Sequence, residues 1–250
     1  MSAELTRRSF LAGVGGAAGM ALVSGAPGSA AEPGDPAPAP ASGTTVVFQG
    51  DSITDCGRDR NEPGPNTADG LATGYPLLVS AGLLREHPDR GLRFFNRGVS
   101  GNRVPDLQQR WSDDTVVLAP DVLSILIGVN DLWHKLMGRV RGSVEDYENQ
   151  YTSMLEETRQ RLPKVRIAVL EPFVLRTGAV DDRWFPEFDQ RRAAAARVAR
   201  RTGATFVPLQ GLFDQLAHRA APAYWAGDGV HPTPAGHAAI AAQWRHFVRL

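Results

Sequence analysis

"TTVVFQGDSITD", Thr44 to Asp55, runs as an apolar, β-branched strand and then stops on Gly-Asp-Ser. A strand that ends this way has two readings. Asp51 and Ser52 can cap the next helix, a task both residue types perform well. Alternatively, Ser52 is a nucleophile held at the mouth of a sheet. The tripeptide alone does not separate them; the rest of the chain must supply a base, an oxyanion site and a scaffold.

Beyond this stretch, strand and helix patterns alternate. "YPLLVSAGLLREH" predicts a helix with Leu77, Leu78, Ala81 and Leu84 on its apolar side. "LRFFN" predicts a second strand, "VPDLQQRW" a short helix, and "DVLSILIGV" a third strand so apolar that both its faces must be covered. Ser143, with Asp146 three residues on, opens a long helix as a capping box. Its stripe is Val144, Tyr147, Tyr151, Met154 and Leu155. "VRIAVLEP" is a fourth strand, and residues 188–202 form a helix with Gly203 placed just past its end. The arginines in its C-terminal half read as a solvated face favoured by the helix dipole. "ATFVPL" is a fifth strand, and Thr233-Pro234 starts a final helix as N-cap and first turn. Five strands joined by helical crossovers predict a single α/β domain: a parallel five-stranded sheet between two helical layers.

The ends of the chain read differently. Residues 1–31 carry paired arginines (Arg7, Arg8), a weakly apolar Gly/Ala-rich run and small residues up to Ala30-Ala31. This is the pattern of a twin-arginine export signal, so the expected location is outside the cytoplasm, with no stable membrane insertion once the signal is removed. The apolar run is too short and glycine-rich for a span. Residues 32–43, "EPGDPAPAPASG", predict an extended Pro/Ala linker, leaving 44–250 as the folded domain. The formal net charge is zero, which gives no electrostatic reason to bind nucleic acid or an anionic membrane. Cys56 is the single cysteine, so no disulfide forms within the chain. With no histidine or base adjacent in sequence, it reads as a buried structural thiol.

In an open α/β sheet, ligands bind beyond the carboxyl ends of the strands. Four segments bring polar or glycine residues there: Gly50-Asp51-Ser52, "NRGVSGN", "GVND" and "GDGVHP". A serine hydroxyl needs a base within hydrogen-bond reach. Of the six histidines, His87 and His218 sit near helix ends, His237 and His246 on the last helix, and His134 just after the third strand. His231 differs, because Asp228 precedes it by three residues in a glycine-containing turn held by Pro232. That spacing lets a carboxylate take one imidazole nitrogen and leave the other to accept the serine proton. Asp-x-x-His alone also fits an ordinary loop. Acyl transfer further needs donors aimed at the developing oxyanion. The Ser52 N–H, the Gly101 N–H and the Asn130 amide are candidates, although Asn130-Asp131 equally fits a turn cap.

Together "GDSIT", "NRGVSGN", "GVND" and "DGVHP" resemble, in order, the four signature blocks of the GDSL or SGNH hydrolases. The resemblance runs from about Thr44 to Val248. It implies a flavodoxin-like three-layer fold and no cofactor; no metal is expected either, since no second His/Cys cluster accompanies Asp-x-x-His. It also implies Ser52 as nucleophile, Asp228 and His231 completing a triad, and Ser52, Gly101 and Asn130 as the oxyanion hole, which are the residues singled out above. The G-x-S-x-G elbow of the α/β-hydrolases is absent, since Gly98 to Asn102 reads G-V-S-G-N.

Within the family, "GDSITDCGR", "SGNRVPDLQQRW" and the Trp133 that follows "GVND" look most like the acetylxylan and carbohydrate esterase branch. The resemblance therefore implies a secreted serine esterase that deacetylates a carbohydrate, its partner being a small-molecule or polysaccharide ester. Trp133, Tyr224 and Trp225 lie in or near loops at the site edge, where they stack on sugar rings or pack the rim; Trp184 reads as packing. Ala226-Gly227 places no bulky side chain before the triad aspartate. Three other readings remain. A lipid or aryl esterase would be separated by acyl-chain preference, and a non-catalytic glycan-binding module by serine labelling. A metal-dependent phosphoesterase would be separated by chelator sensitivity.

Overall fold

The computed structural model describes residues 40–250. The expected export signal and most of the expected linker lie outside the described residues. Residues 40–43 of that linker are tied to the domain: Gly43 N–H donates to the Arg90 carbonyl (2.7 Å), and Thr44 N–H turns back to that of Ala41.

The elements in chain order begin β1 (Thr45–Gly50), α1 (Ser52–Asp55), α2 (Ala68–Leu71), α3 (Tyr75–Glu86), β2 (Arg93–Asn96) and α4 (Val104–Asp114). They continue β3 (Val122–Leu126), α5 (Val129–Leu136), α6 (Val144–Arg161), β4 (Arg166–Leu170) and α7 (Glu187–Thr202). Last come β5 (Thr205–Val207), α8 (Gln210–Ala217), α9 (Pro222–Trp225) and α10 (Pro234–Val248). Among the described residues all strand pairings are parallel, in the order β2-β1-β3-β4-β5. This is the flavodoxin-like doubly wound order, and its switch point falls between β1 and β3. Register places Gly50 beside Leu126, so both strands end at the same edge.

Alternation along the buried strands feeds two cores. Val46 and Phe48 of β1 join Phe94, Val122 and Leu170 against Tyr75, Val79, Ile240 and Trp244 of α3 and α10. Val47 and the β3 residues Leu123 and Ile125 face Leu107, Trp111, Tyr151, Leu155 and Val198 of α4, α6 and α7. Both faces of the sheet are covered, as a parallel sheet requires.

The caps read from sequence are present. Ser143 accepts from Asp146 N–H while the Asp146 carboxylate accepts from Ser143 N–H, and Thr233 accepts from Gly236 N–H. Gly203 ends α7 at φ 65°. One expectation changes. The buried side of α3 is Tyr75, Val79 and Leu83, with Leu78 left 40% exposed. That helix is apolar nearly all round, and contact with α10 selects the face. On α7 the arginines of the C-terminal half face solvent, Arg197 beside Glu148 and Arg200 and Arg201 exposed, whereas Arg191 in the first half is buried, bonding Glu187 and lying over the Tyr147 ring.

Candidate active site

The site is assembled where β1 and β3 end. At Gly50 a Cβ would stand 2.3 Å from Thr54 Oγ1 and 2.4 Å from the Leu126 carbonyl, so only glycine lets the chain turn this tightly. Asp51 caps α1, its Oδ1 accepting the Ile53 N–H at 3.0 Å. Ser52 is therefore the first helical residue rather than the cap. Its N–H points out of the helix end without an intrahelical acceptor, and its hydroxyl is left for other use. The Asp51 carboxyl is 1% exposed and its Oδ2 has no partner. Burial pushes its pKa up to about 7, against the Ile53 N–H bond and with a contribution from the charge of Asp131.

The loop after β2 is laced to the end of β1. Arg97 and Val99 N–H donate to the Phe48 and Gly50 carbonyls (2.7 and 3.0 Å), and Gly101 turns at φ 83°. Asn130, which directly follows the third strand in the sequence pattern, occupies the first turn of α5, where a helix fixes its direction. The short helix follows Gly128, at φ 134°, whose missing Cβ makes room for the Tyr147 hydroxyl. One Asn130 Nδ2 proton goes to the Asn102 carbonyl (3.1 Å). An amide carries two such protons, so the second remains for an oxyanion.

Ser52 Oγ lies 2.8 Å from His231 Nε2, and His231 Nδ1 lies 2.7 Å from Asp228 Oδ2. Asp228 Oδ1 also accepts the Val230 and His231 backbone N–H groups (2.9 and 2.7 Å). Burial alone would raise the Asp228 pKa, but these bonds outweigh it and hold the carboxyl below its usual range. Sequence reading missed the support of this loop. Leu175 and Ala179 N–H donate to the Gly229 and Asp228 carbonyls, both at 2.8 Å. A Cβ on Gly229 would meet the Leu175 and Thr177 carbonyls at 2.4 Å. The glycine at 229 was the available signal.

The aromatic candidates separate. The Trp133 ring lies 5.9 Å from that of His231 and 5.7 Å from that of Trp184. Trp184 is buried and donates its indole N–H to the Ala179 carbonyl. Beside them opens a surface pocket of about 370 Å³ lined by Trp133, Leu136, Met137, Ala179, Arg183 and Trp184. Trp225 donates its indole N–H to the Leu216 carbonyl and packs against the core, while Tyr224 is 57% exposed and sits edge-on to it.

Cys56 is half-buried rather than buried, and folding brings His237 Nε2 to 3.4 Å from its sulfur. Tyr75 N–H donates to His237 Nδ1, which leaves the ring proton on Nε2, facing sulfur. Burial, aided by the His231 charge, lowers the His237 pKa to about 4. The ring is neutral at physiological pH and supplies no cation to favour a thiolate.

Known proteins resemble the chain over this whole region. Residues 48–239 match the GDSL-like lipase/acylhydrolase family. An acetylxylan esterase from Geobacillus stearothermophilus is 37% identical over 213 residues, covering 83% of this chain and 94% of that protein. The crystal structure of Axe2, an acetylxylan esterase from Geobacillus stearothermophilus, superposes with a TM-score of 0.74, at 36% identity over 82% of this chain and 94% of the other. A GDSL-like protein from Parabacteroides merdae gives a TM-score of 0.81 at 43% identity, covering 82% and 95% of the two chains. The chain belongs to the GDSL-like lipase/acylhydrolase family and is a carboxylic ester hydrolase.

Proposed function

We propose that this esterase removes acetyl groups from a carbohydrate such as xylan, through an acyl-enzyme on Ser52. The observation that carries the reading is the continuous relay from Ser52 Oγ through His231 to Asp228, with steps of 2.8 and 2.7 Å. His231 Nε2 takes the hydroxyl proton as Oγ attacks the acetyl carbonyl. The carbonyl oxygen becomes an alkoxide facing the Ser52 and Gly101 N–H groups and the free proton of Asn130. On collapse the ester C–O bond breaks, and the imidazolium returns its proton to the departing alcohol. Water then repeats the sequence, with His231 as base, and releases acetate.

Because the proton donor must stand beside the leaving oxygen, groups flanking His231 line the alcohol side. Trp133 and its pocket fit a sugar ring there, since an aromatic face offers apolar area to the axial C–H groups of a pyranose. The 37% identical acetylxylan esterase supports the same substrate class. The paired Arg7-Arg8 and the small residues near Ala30 support export by the twin-arginine route, where a polymer substrate is met.

The test is p-nitrophenol release from acetate, butyrate and octanoate esters, followed by acetate release from acetylated xylan, with Ser52→Ala alongside. The expected result is a preference for acetate and loss of at least about 10³-fold in kcat for the variant. Activity retained by Ser52→Ala would overturn the mechanism, and equal rates on octanoate would move the substrate to lipids.

A further inference from the structure

We propose that Asp55, which touches no reacting atom, is a positioning residue that sets the Gly101 oxyanion donor relative to Ser52. The inference rests on the serine-esterase reading above and assigns a residue that the reading does not use.

Asp55 is the last residue of α1, one turn beyond the nucleophile, and is 5% exposed. Its Oδ2 accepts both the N–H and the hydroxyl of Ser100, each at 2.8 Å. Ser100 is the residue immediately before Gly101. The other oxygen, Oδ1, accepts the Arg58 N–H at 3.2 Å, and Arg58 Nε donates to the Gly98 carbonyl at 2.7 Å. Asn96 closes the arrangement: its amide donates to the Thr54 and Asp55 carbonyls, and its Oδ1 accepts the Gly98 N–H. A Cβ on Gly98 would fall 2.2 Å from Asp55 N, so the loop lies directly on the helix. The helix bearing Ser52 and the loop bearing Gly101 thus form one hydrogen-bonded unit, with the Asp55 carboxylate at the joint.

The loop needs that joint. Ser100 is exposed, so burial does little to hold it. Without the carboxylate, its N–H and hydroxyl turn to water, and the peptide entering Gly101 keeps only the flanking Val99 and Asn102 bonds to direct it. A misplacement of about 1 Å costs on the order of 10²-fold in rate. The joint also requires the ionised, acceptor-only form. Burial opposes ionisation here, but the two Ser100 bonds and the nearby Arg60 and Arg58 prevail and keep the pKa below the usual range.

The experiment compares Asp55→Asn and Ser100→Ala with the parent chain on p-nitrophenyl acetate, with Ser52→Ala as control. In Asp55→Asn either amide rotamer turns an NH2 group toward the Ser100 or the Arg58 N–H. Expected is a fall of about 10²-fold in kcat, with KM changed less than about threefold and one fluorophosphonate-reactive serine per chain. Ser100→Ala loses one of the two bonds and falls about tenfold. A second readout is 1,1,1-trifluoroacetone. Ser52 Oγ bonds its carbonyl carbon, the hydroxyl proton passes to His231 Nε2, and the adduct carries an oxyanion. Its affinity should fall in parallel with kcat.

Wild-type kcat in either variant overturns the proposal. So does a kcat loss in which trifluoroacetone affinity is kept, because Asp55 would then act only on stability. Should Asp55→Asn fail to fold, Ser100→Ala decides by the same criteria. Activity in Ser52→Ala would instead overturn the serine-esterase reading, a distinguishable failure.

Discussion

Asp51 beside the nucleophile and Asp228 beside the base are both acidic residues at the carboxyl edge of the sheet, yet the fold treats them in opposite ways. Asp51 is 1% exposed, with one oxygen unpartnered, and its pKa rises to about 7. The Asp228 side chain is 39% exposed, accepts three N–H groups and titrates below the usual range. The nucleophile half is built on secondary structure: a strand end, a capped helix and a glycine-tight loop. The base half is a loop whose order comes from hydrogen bonds of the Asp228 carboxylate and the Leu175–Ala179 strap. Rigidity thus has two sources here. Burial supplies it on one side at the cost of an ill-solvated acid, and a satisfied, ionised carboxylate supplies it on the other.

The sharpest way to break this comparison is Asp228→Asn. The amide cannot accept from His231 Nδ1 and from both backbone N–H groups, and it favours the imidazole tautomer that cannot take the Ser52 proton. Expected is a loss of about 10⁴-fold in kcat with the fold intact, the size of effect this change has in serine triads. A loss under about tenfold would show that His231 is oriented by its backbone alone. The carboxylate also carries a pH sign. A depressed folded pKa gives stability that is present at neutral pH and is lost as pH falls through that pKa.

Asp51 has the reverse sign. Its folded pKa of about 7 lies above an ordinary 3.8, so its contribution is fully present below about 3.8 and is lost as pH rises toward 7. At about 1.4 kcal/mol per unit, that window spans on the order of 4 kcal/mol. Asp51→Asn keeps an oxygen for the Ile53 N–H and removes the titration. Urea unfolding at pH 5 and pH 8 measures it: the parent chain should lose more stability than the variant between the two. Asp131, buried and raised to about 6, adds a slope of the same sign, so the difference between the two chains reports Asp51 together with its coupling to Asp131. Equal slopes would mean that water reaches Asp51, and the contrast with Asp228 would fail.

The two halves were also unequally legible in the sequence. The four signature segments, the sheet and the Ser143, Thr233 and Gly203 boundaries follow from local patterns: strand runs, caps and a glycine past a helix end. Cap chemistry is local, so it survives translation from sequence to structure. What escaped depends on packing between distant segments. α5 is eight residues long and begins inside an apolar strand run, so its period has no room to show, and no helix is expected there. The face of α3 was misread because leucines lie on both sides and only α10 decides between them. The Cys56–His237 contact joins residues 181 positions apart, and the Leu175–Ala179 strap holds Gly229 across about fifty. Neither leaves a periodic trace.

The smallest predicted effect probes what the exposed base half offers a substrate. Trp133 stands 5.9 Å from His231, beside a pocket of about 370 Å³, while Trp225 spends its indole N–H on the Leu216 carbonyl. If Trp133 supports a sugar ring on the leaving-group side, Trp133→Ala should raise KM for acetylated xylooligosaccharides about tenfold, or about 1.4 kcal/mol. The p-nitrophenyl acetate rate should change less, because p-nitrophenolate is a far better leaving group than a sugar alkoxide and relies less on being positioned beside His231. Tyr224→Ala should change the sugar KM by less than about threefold, since its ring is exposed and rests edge-on against Trp225. Equal losses on both substrates for Trp133→Ala would instead assign the indole to holding the His231 ring. Trp133 would then belong to the positioning of the base, and the alcohol would have to be recognised from another wall of the site.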